Sequence, residues 1–334
     1  MAIERADRKV LTERWGSTGL LKGITSDFEK EQMAVLLQNQ LLDNEQFGEQ
    51  RNECGDSNAR GKYSQFMRLS IPITRRVYNS NALLAFKIAS VQAIQHLEDN
   101  FYYRDGYGNL KPRSVAARTR KLKERPMTTE ELRGKFEENG YPLDAKFEEQ
   151  GDPAYNLDVE AQITAEVCQR IANEINNEVV GDIKTNAGIK HVHTWKSVDD
   201  LKACVGFVAS QIFRKSTKQA NWIVTSAEMA TELMGEKQEI DGELPKYVGK
   251  LTERYNVYTH WKMNPNELMM GHKGDDYTAG YFYCPLTPIF WNPSNVEIDG
   301  HWDYNYMARY GKAMPFPDFY GNVTVTGYSE KEKK

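Results

Sequence analysis

The sequence contains little that would assign a chemical function directly. It has no stretch of about 18 apolar residues that could cross a membrane, and its first ten residues are charged rather than apolar, so no signal peptide is predicted. The net charge of -4 and the pI near 6.0 exclude a protein whose whole surface binds nucleic acid. The cysteines form no Cys-x-x-Cys pair, which argues against a zinc knuckle or a disulfide framework. We therefore expect a soluble protein made in the cytoplasm with four reduced cysteines: Cys54, Cys168, Cys204 and Cys284.

Catalytic motifs are also missing. No Gly-x-Gly-x-x-Gly, His-Glu-x-x-His or Gly-x-Ser-x-Gly occurs. The segment from Gly55 to Lys62 has the wrong glycine spacing for a phosphate loop, and Tyr63 follows where a Ser or Thr must bind magnesium. His191 and His193 would share one face of a strand, but nothing nearby in the sequence supplies further metal ligands, so we interpret them as surface or interface residues. The sequence thus predicts no catalytic residue, no cofactor and no metal site.

A long amphipathic helix from Leu157 to Ile183 is the strongest pattern in the chain. Its polar residues separate branched aliphatic residues at every fourth position, namely Val159, Ile163, Val167, Ile171, Ile175, Val179 and Ile183. Asn156 is the predicted N-cap, and the helix would be about 40 Å long. A four-residue step turns about 400°, so this ridge drifts around the helix by about 40° per step. We therefore expect its two ends to pack against different partners.

Residues 1–62 have the character of an arm rather than a domain. Ser26 and Glu29 form a capping box. The helix that follows has an apolar stripe made of Phe28, Val35, Leu36, Leu37, Leu41 and Leu42. The polar segment from Gln50 to Lys62 predicts a tether. Because a lone amphipathic helix is marginal in water, we expect this one to dock, either on another copy or on its own domain.

Residues 95–155 carry adjacent blocks of opposite charge. Lys111 to Arg125 holds seven basic residues against one Glu, whereas Pro126 to Gln150 holds seven acidic residues against three basic ones. Three interpretations remain open. The blocks can pair with each other or between identical copies, they can form a solvated loop, or the basic block can bind phosphate. The basic block lacks aromatic residues that could stack on bases.

The rest of the chain mixes strands and helices irregularly. Leu84, Phe86 and Ile88 alternate as in a half-buried strand. Ser197 and Ser226 are predicted to cap helices, the first with Leu201, Val205, Val208 and Ile212 on its apolar face, and Ala220 to Thr225 is predicted to be a buried strand. Strands are also predicted in Lys246–Lys262, Leu268–Ile289 and Trp302–Tyr328, with breaks at Gly311, Pro315 and Pro317. The sum is an α+β protein with mostly antiparallel sheet.

Several short segments, in the same order along most of the chain, resemble the major capsid proteins of tailed bacteriophages of the T-even type. They are Leu11–Trp15, Ile73–Arg76, Leu84–Ile88 with Val91-Gln92, Ala165-Glu166, Glu174–Val180, Ala220–Ser226, Met270–Gly274, Ala279–Pro288 and Ala308–Gly311. That family adopts the Hong Kong 97-like capsid fold. The chain departs from the family in being shorter and in having Ala93 after Val91-Gln92, where a proline is usual.

The resemblance implies a division of the chain into functional parts. Residues 1–62 would be the N-terminal arm, residues 63–94 the first part of the peripheral domain, and residues 95–155 an extended loop that reaches over a neighbouring subunit. Residues 156–199 would contain the spine helix and part of the peripheral domain, residues 200–295 the axial domain, and residues 296–334 the closing peripheral strands. The family loses an N-terminal propeptide after a Glu, and Glu45 is the plausible equivalent. We predict that the arm is nevertheless retained.

The resemblance also implies a function and partners. Such a chain would self-assemble into hexamers and pentamers that form an icosahedral head shell around double-stranded DNA, together with portal, scaffold and decoration or cement proteins. It would be assembled in the host cytoplasm, reside in the virion and contact no membrane. The predicted inter-subunit residues are Phe28, Leu36, Leu37, Arg118, Arg120, Lys121, Glu137, Glu138, Tyr281, Phe282 and Tyr283. Two alternatives are a DNA-binding or tail-associated phage protein that uses the basic block, and a metal-dependent enzyme that uses His191 and His193.

Overall fold

The computed structural model describes the backbone of residues 7–52, 70–122, 153–235, 244–296 and 302–328. Side chains are described over the same ranges except for 47–52, 153–167, 291–296 and 302–306. The helices are α1 (Arg8–Ser17), α2 (Asp27–Asn52), α3 (Ala85–Ile88), α4 (Pro153–Asn186), α5 (Val198–Ser216) and α6 (Ala227–Met234). Residues 70–77 are also helical. Among the described residues, no helix has the length and apolar character needed to cross a membrane.

In the described ranges, twelve strands alternate with these helices without a regular pattern. They are β1 (Ser90–Val91), β2 (Glu98–Arg104), β3 (Leu110–Ala116), β4 (Arg118–Lys121), β5 (Ile189–Thr194), β6 (Trp222–Thr225), β7 (Lys246–Leu251), β8 (Tyr255–Thr259), β9 (Glu267–Gly271), β10 (Phe282–Val296), β11 (Trp302–Ala313) and β12 (Tyr320–Thr326). They form a four-stranded sheet (β1-β10-β11-β4), a six-stranded sheet (β5-β12-β9-β6-β8-β7) and the β2-β3 hairpin. Antiparallel pairings outnumber parallel ones, which confirms the predicted mixed fold.

The six-stranded sheet separates two hydrophobic cores. Because side chains alternate between the faces of a strand, Trp222 and Val224 of β6 point into one core while Ile223 between them points into the other. In β9, Met269 faces the first core, and Leu268 and Met270 face the second. The first core is shared with α1, α2, α4 and the four-stranded sheet, whereas α5 and α6 cover the second.

Helices α5 and α6 begin where the sequence predicts. Ser197 Oγ accepts a hydrogen bond from the Asp200 amide at 3.2 Å, and Ser226 Oγ accepts one from the Met229 amide at 3.2 Å. The predicted apolar face of α5 is buried in the second core: Leu201, Val205, Val208 and Ile212. These local signals therefore fix the boundaries of the helices that cover this face of the sheet.

The long helix α4 extends from Pro153 to Asn186, beyond both predicted ends. Asn156 therefore lies inside its first turn and is not the N-cap, because Pro153 already occupies a helical position for which its fixed φ suits it. Ile171, Ile175, Val179 and Ile183 are all buried in the first core. Of the predicted aliphatic residues, Val159, Ile163 and Val167 have no described side chains.

The polar partners of α4 change along its length. Asn176 accepts a hydrogen bond from the Leu84 amide and donates one to the Ala82 carbonyl. Two turns further on, Lys184 contacts Glu267 of β9. The C-terminal half of α4, whose side chains are described, thus runs from the segment before α3 to the six-stranded sheet.

The N-terminal helices pack on their own chain. Leu11 and Trp15 of α1 and the run from Met33 to Leu37 of α2 are buried in the first core. The Glu29 amide donates to Ser26 Oγ at 3.3 Å, as the capping box predicts. Of the two docking alternatives, the structure therefore has the helix on its own domain. The predicted tether begins later than Gln50, because α2 continues to Asn52, and residues 53–62 lie outside the described residues.

Two local predictions are wrong. The segment with Leu84, Phe86 and Ile88 is not a strand but contains the short helix α3, in which Ala85 is also fully buried. Apolar alternation is uninformative in a segment that is buried on nearly all sides. Gly311 does not break a strand but lies within β11. A Cβ atom at Gly311 would lie 2.5 Å from Val115 Cγ2, so the glycine allows β3 to approach β11 closely.

Candidate assembly surfaces

The β2-β3 hairpin projects from a third, smaller core. Phe101 of β2 and Val115 of β3 are buried at its base, and the Phe101 ring lies 4.6 Å from the ring of Phe282. Phe282 and Cys284 of β10 face this core, while Tyr281 and Tyr283 face the first core. The four-stranded sheet thus carries the hairpin on one face and the long helix on the other.

Hydrogen bonds fix the direction in which the hairpin leaves the body. The Gln92 side chain accepts from the Tyr102 amide at 2.9 Å and donates to the Tyr102 carbonyl at 2.7 Å. The Arg104 amide donates to the Tyr277 carbonyl at 2.9 Å, and the Arg104 guanidinium lies 2.7 Å from the Asp275 carboxylate. Because these bonds join the Tyr102–Arg104 end of β2 to the body, the hairpin has a defined direction.

The hairpin tip is a tight, self-bonded turn. The Asp105 carboxylate accepts hydrogen bonds from the amides of Tyr107 and Asn109, both at 2.9 Å, and Gly108 adopts a φ of 85°. The Lys111 ammonium, 2.9 Å from Asp105, is the main cause that lowers the pKa of this carboxyl to about 2. The Tyr107 side chain is 94% exposed, so the turn presents an aromatic ring to solvent.

Strand β4 forms a basic edge of the four-stranded sheet. Arg118, Arg120 and Lys121 are exposed, and β4 pairs on one side with β11 and has no strand on the other within the described chain. Arg120 lies 6.0 Å from the ring of Tyr310, and none of the three basic residues forms an ion pair with a described residue. Their predicted acidic counterparts, Glu137 and Glu138, lie outside the described residues.

Five other predicted interface residues are buried inside the subunit, which corrects the prediction. Leu36 and Leu37 of α2 are packed in the first core, as are Tyr281 and Tyr283, while Phe282 belongs to the third core. None of the five is more than 2% exposed, so their side chains stabilise the subunit and cannot reach a neighbour. Phe28 is half-buried, with its ring 5.4 Å from the ring of Tyr277, and keeps an accessible edge.

A charged cluster that sequence reasoning missed joins α4 to the four-stranded sheet. Lys312 Nζ lies 2.7 Å from a carboxylate oxygen of Glu178 and 2.7 Å from one of Asp182. Tyr281 donates to Asp182 at 2.7 Å, and Tyr310 donates to Glu178. Burial opposes the positive charge of Lys312, but its hydrogen bonds to Asp182 and Glu178 outweigh burial and raise the pKa of this lysine. The cluster links side chains of the same subunit, so it orients α4 against the four-stranded sheet.

Strand β5 and helix α5 each expose large apolar side chains. Val192 of β5 is 68% exposed, and Phe207 and Phe213 of α5 are about half exposed. Strand β5 is also an edge of the described sheet. Exposed apolar side chains beside a sheet edge are typical of surfaces that contact another protein. These residues escaped the sequence analysis because a helical apolar stripe does not reveal which flanking residues remain uncovered.

The predicted pair His191 and His193 does share one face of β5, with ring centroids 6.5 Å apart. The third residue beside them is Cys204 of α5, which the sequence analysis did not connect with them. Burial, with a smaller effect of Asp200, raises the pKa of the Cys204 thiol to about 11, so in the absence of a metal the group is a thiol rather than a nucleophilic thiolate. Cys168, Cys204 and Cys284 are free and buried, as predicted, and Cys54 lies outside the described residues.

Comparison with known proteins gives a family match and distant structural similarities. The family model described as "Major capsid protein Gp23" matches residues 152–333, more than half of the chain. The comparison with curated proteins gave no match. A virus-like particle protein from Pyrococcus furiosus is similar in structure, with 10% identity, a TM-score of 0.45 and coverage of 77% of this chain and 97% of that chain. A chain from the capsid of cyanophage P-SCSP1u has 9% identity, a TM-score of 0.40 and coverage of 72% and 88%, respectively.

Proposed function

The chain belongs to the family of the major capsid protein Gp23, and on this premise we propose that its copies form hexamers and pentamers that close an icosahedral head shell around double-stranded DNA. The family match over residues 152–333 is the observation that carries this proposal. A major capsid protein resides in the virion shell and associates with itself, and proteins of this class are not enzymes in general. We propose in addition that the chain has a Hong Kong 97-like fold, that it assembles in the host cytoplasm, and that its partners include portal, scaffold and decoration proteins.

In this proposal the β2-β3 hairpin and β4 are parts of the extended loop that reaches a neighbouring copy. The buried base at Phe101 and Val115 supports this role, because it holds the hairpin while its tip remains exposed. Tyr107 at the tip offers a large ring for a pocket on the neighbour. The hydrogen bonds of Gln92 and Arg104 give the hairpin a defined direction, which reduces the entropy lost when two copies associate.

The basic edge of β4 is proposed to meet the acidic block of a neighbouring copy. Arg118, Arg120 and Lys121 are exposed, and they have no ion-pair partner among the described residues of their own chain. Glu137 and Glu138 in the acidic block are the proposed counterparts. Opposite charges on one chain can pair between identical copies around a ring, which selects the correct neighbour and its orientation.

We also propose that residues 1–45 are retained in the mature particle. A cut after Glu45 would fall within α2 and would remove the buried residues from Met33 to Leu37 together with α1. It would also remove Asn39, which donates to the carbonyls of Ile94 and Leu286 at 2.8 Å, and Asp43, which pairs with Arg309 at 2.9 Å. These contacts support retention, because the segment is a component of the subunit core. Finding that protein isolated from virions begins near Gln46 would contradict the proposal.

Electron microscopy and light scattering of the full chain expressed alone test self-assembly. We expect rings, tubes or closed shells. The triple variant Arg118→Glu, Arg120→Glu, Lys121→Glu should fold, as measured by circular dichroism, but should lose assembly. A matched control reverses three exposed lysines elsewhere, Lys22, Lys87 and Lys250, with the same change in net charge. If the wild type and the β4 variant assemble equally, the basic edge has no role in assembly. If the β4 variant and the control lose assembly equally, the loss reflects the change in net charge and not the basic edge.

The same preparations distinguish a DNA-binding protein from a shell protein. Binding of double-stranded DNA by the unassembled chain, with affinity that falls steeply as salt rises and disappears with the β4 charges, would favour a DNA-binding or tail-associated role. We expect weak DNA binding instead, since the chain has a net charge of -4 and encloses DNA without needing to hold it tightly.

A further inference from the structure

We propose that His191, His193 and Cys204 bind a zinc-class transition-metal ion, with Asp200 or water as the fourth ligand. The proposal goes beyond the shell function and does not depend on it. The three side chains each offer one ligand atom, and these atoms all lie within 4.8 Å of one another. The secondary structure of β5 and α5 determines where each of these side chains lies.

Two elements bring the four side chains together. In β5, residues two apart point to the same face, so His191 and His193 both lie on the side covered by α5. In α5, residues four apart lie one above the other, so Asp200 and Cys204 share the face directed at β5. Because the helix begins at Val198, immediately after the segment that follows β5, the chain returns over its own strand. The juxtaposition therefore depends on a short connection and not on a distant part of the fold.

The spacing is close to that of an occupied site. Zinc bonds of about 2.0–2.1 Å to nitrogen and about 2.3 Å to sulfur place tetrahedral ligand atoms roughly 3.3–3.8 Å apart. The observed upper limit of 4.8 Å exceeds this by about 1 Å, which side-chain rotations can supply.

The atoms of Asp200 and His193 are poorly satisfied without a metal. His193 Nε2 lies 3.1 Å from Asp200 Oδ2, within ion-pair distance. Both atoms are nevertheless buried and lack a hydrogen bond of acceptable geometry in the structure. Buried polar atoms are normally hydrogen-bonded, so these two mark a place where another partner fits. A histidine–aspartate ion pair would account for these two atoms but not for the convergence of His191 and Cys204 on the same point.

The donor set specifies the class of metal. Imidazole nitrogen and thiolate sulfur favour zinc and related transition metals, whereas magnesium and calcium require oxygen ligands. Cys204 is buried, and both histidines are partly buried. On binding, the Cys204 S–H bond breaks, a bond from sulfur to the metal forms, and the proton passes to solvent without any redox change. The metal would then join the edge strand β5 to α5.

Zinc binding by the untagged full chain tests the proposal. Zinc alone is added to metal-free protein, and the dissociation constant is measured by competition with a chromophoric chelator. We expect one zinc ion per chain, and we expect His193→Asn and Cys204→Ser each to weaken binding more than about a hundredfold, since loss of an outer-shell partner alone typically weakens binding ten- to a hundredfold. The matched controls are His96→Asn, at another half-buried histidine, and Cys168→Ser, at another buried thiol. Both controls should bind zinc as the wild type does.

Cobalt substitution identifies the ligands independently of affinity. Cobalt(II) bound by a thiolate has a charge-transfer absorption band, which we expect in the wild type and in Cys168→Ser but not in Cys204→Ser. Circular dichroism confirms that each variant is folded. If Cys204→Ser does not fold, the His193→Asn and His96→Asn pair provides the decisive comparison, because both positions are partly exposed. Absence of zinc binding in the wild type, unchanged affinity in the cluster variants, or a cobalt spectrum without the thiolate band would each overturn the proposal.

Discussion

The two cores on opposite faces of the six-stranded sheet are built from the chain in different ways. The second core uses residues between Ile189 and Tyr328, and its two helices follow closely on strands that they cover. The first core also contains residues from Leu11 onward, and it joins α1, α2 and α4 to both sheets. One face of the sheet is thus covered by a largely continuous segment, and the other requires both ends of the chain.

The two regions also differ in how they bury charge and polarity. The first region pairs its partly buried charges, as in the contacts of Lys312 with Glu178 and Asp182 and of Arg309 with Asp43. On the sheet itself, His260 follows β8 and is only 1% exposed, and its Nε2 atom has no hydrogen-bond partner in the structure. Removing one member of a charge pair leaves the other charge uncompensated, which lowers the stability of the fold. A lone buried imidazole, by contrast, is stable only when it is neutral.

Removal of residues 1–45 should have the largest effect on this arrangement. The truncation deletes the contributions of α1 and most of α2 to the first core, including the buried run from Met33 to Leu37. Each lost apolar side chain alone is worth about 2–5 kcal/mol, so the total exceeds the stability of an ordinary domain. We expect insoluble protein, or loss of the near-ultraviolet circular dichroism signal.

The control for this truncation removes only residues 1–6, which precede the described part of the chain. This shorter deletion should leave thermal unfolding unchanged. A truncated chain 46–334 that unfolds at the wild-type temperature would show that the N-terminal helices are not required for the first core, and would remove the structural support for the proposed retention of residues 1–45.

Gly271→Ala should cause the next largest effect, because it perturbs the sheet between the two cores. A Cβ atom there would lie 2.4 Å from Tyr320 Cδ1, 2.5 Å from Trp222 Cζ2 and 2.9 Å from the backbone oxygen of Phe319. Overpacking a dense core lowers the free energy of unfolding by about 1–3 kcal/mol. Because the added Cβ clashes with the backbone as well as with two rings, we expect a loss of about 3 kcal/mol. Urea unfolding measures the difference.

Gly206→Ala provides the matched comparison for Gly271→Ala. Gly206 lies within α5 on its exposed side, and nothing lies within 4 Å of an added Cβ atom. Because alanine is the better helix former, we expect this variant to be stabilised by about 0.5–1 kcal/mol. Equal effects of the two substitutions would show that Gly271 is not packed as closely as the structure indicates.

The second region was predictable from sequence throughout, whereas in the first region the helices α2 and α4 were predictable and the segment that contains α3 was not. Ser197 and Ser226 cap helices because capping depends on residues three positions away, and the apolar spacing of α5 needs only the sheet beside it. Leu84 and Phe86 were assigned to a strand because their partners, including the α4 residue Asn176, lie about 90 positions away. Local patterns determine an element when its partner is adjacent, and they fail when burial comes from distant segments.

The candidate surfaces follow the same rule. Arg118, Arg120 and Lys121 were found because a charge block is visible in the sequence and remains exposed in the structure. Leu36 and Tyr283 were assigned to an interface because apolar residues look alike whether they face a neighbour or their own core. Cys204 was not connected with His191 because the two lie on different elements, and only the return of α5 over β5 brings them together.

His260 should produce a smaller effect than Gly271→Ala, and this effect should depend on pH. Burial, with a smaller effect of Lys262, lowers the pKa of His260 to about 4, whereas the unfolded chain has the ordinary value near 6.5. Between these values the unfolded state binds a proton that the folded state does not, so stability falls as pH decreases from 6.5, by about 2 kcal/mol at pH 5. His260→Asn should flatten this slope in urea unfolding at pH 5–7. Part of the slope should remain, because burial also lowers the pKa of His272. An unchanged slope would mean that His260 is protonated in the folded protein and that the sheet region tolerates a buried charge.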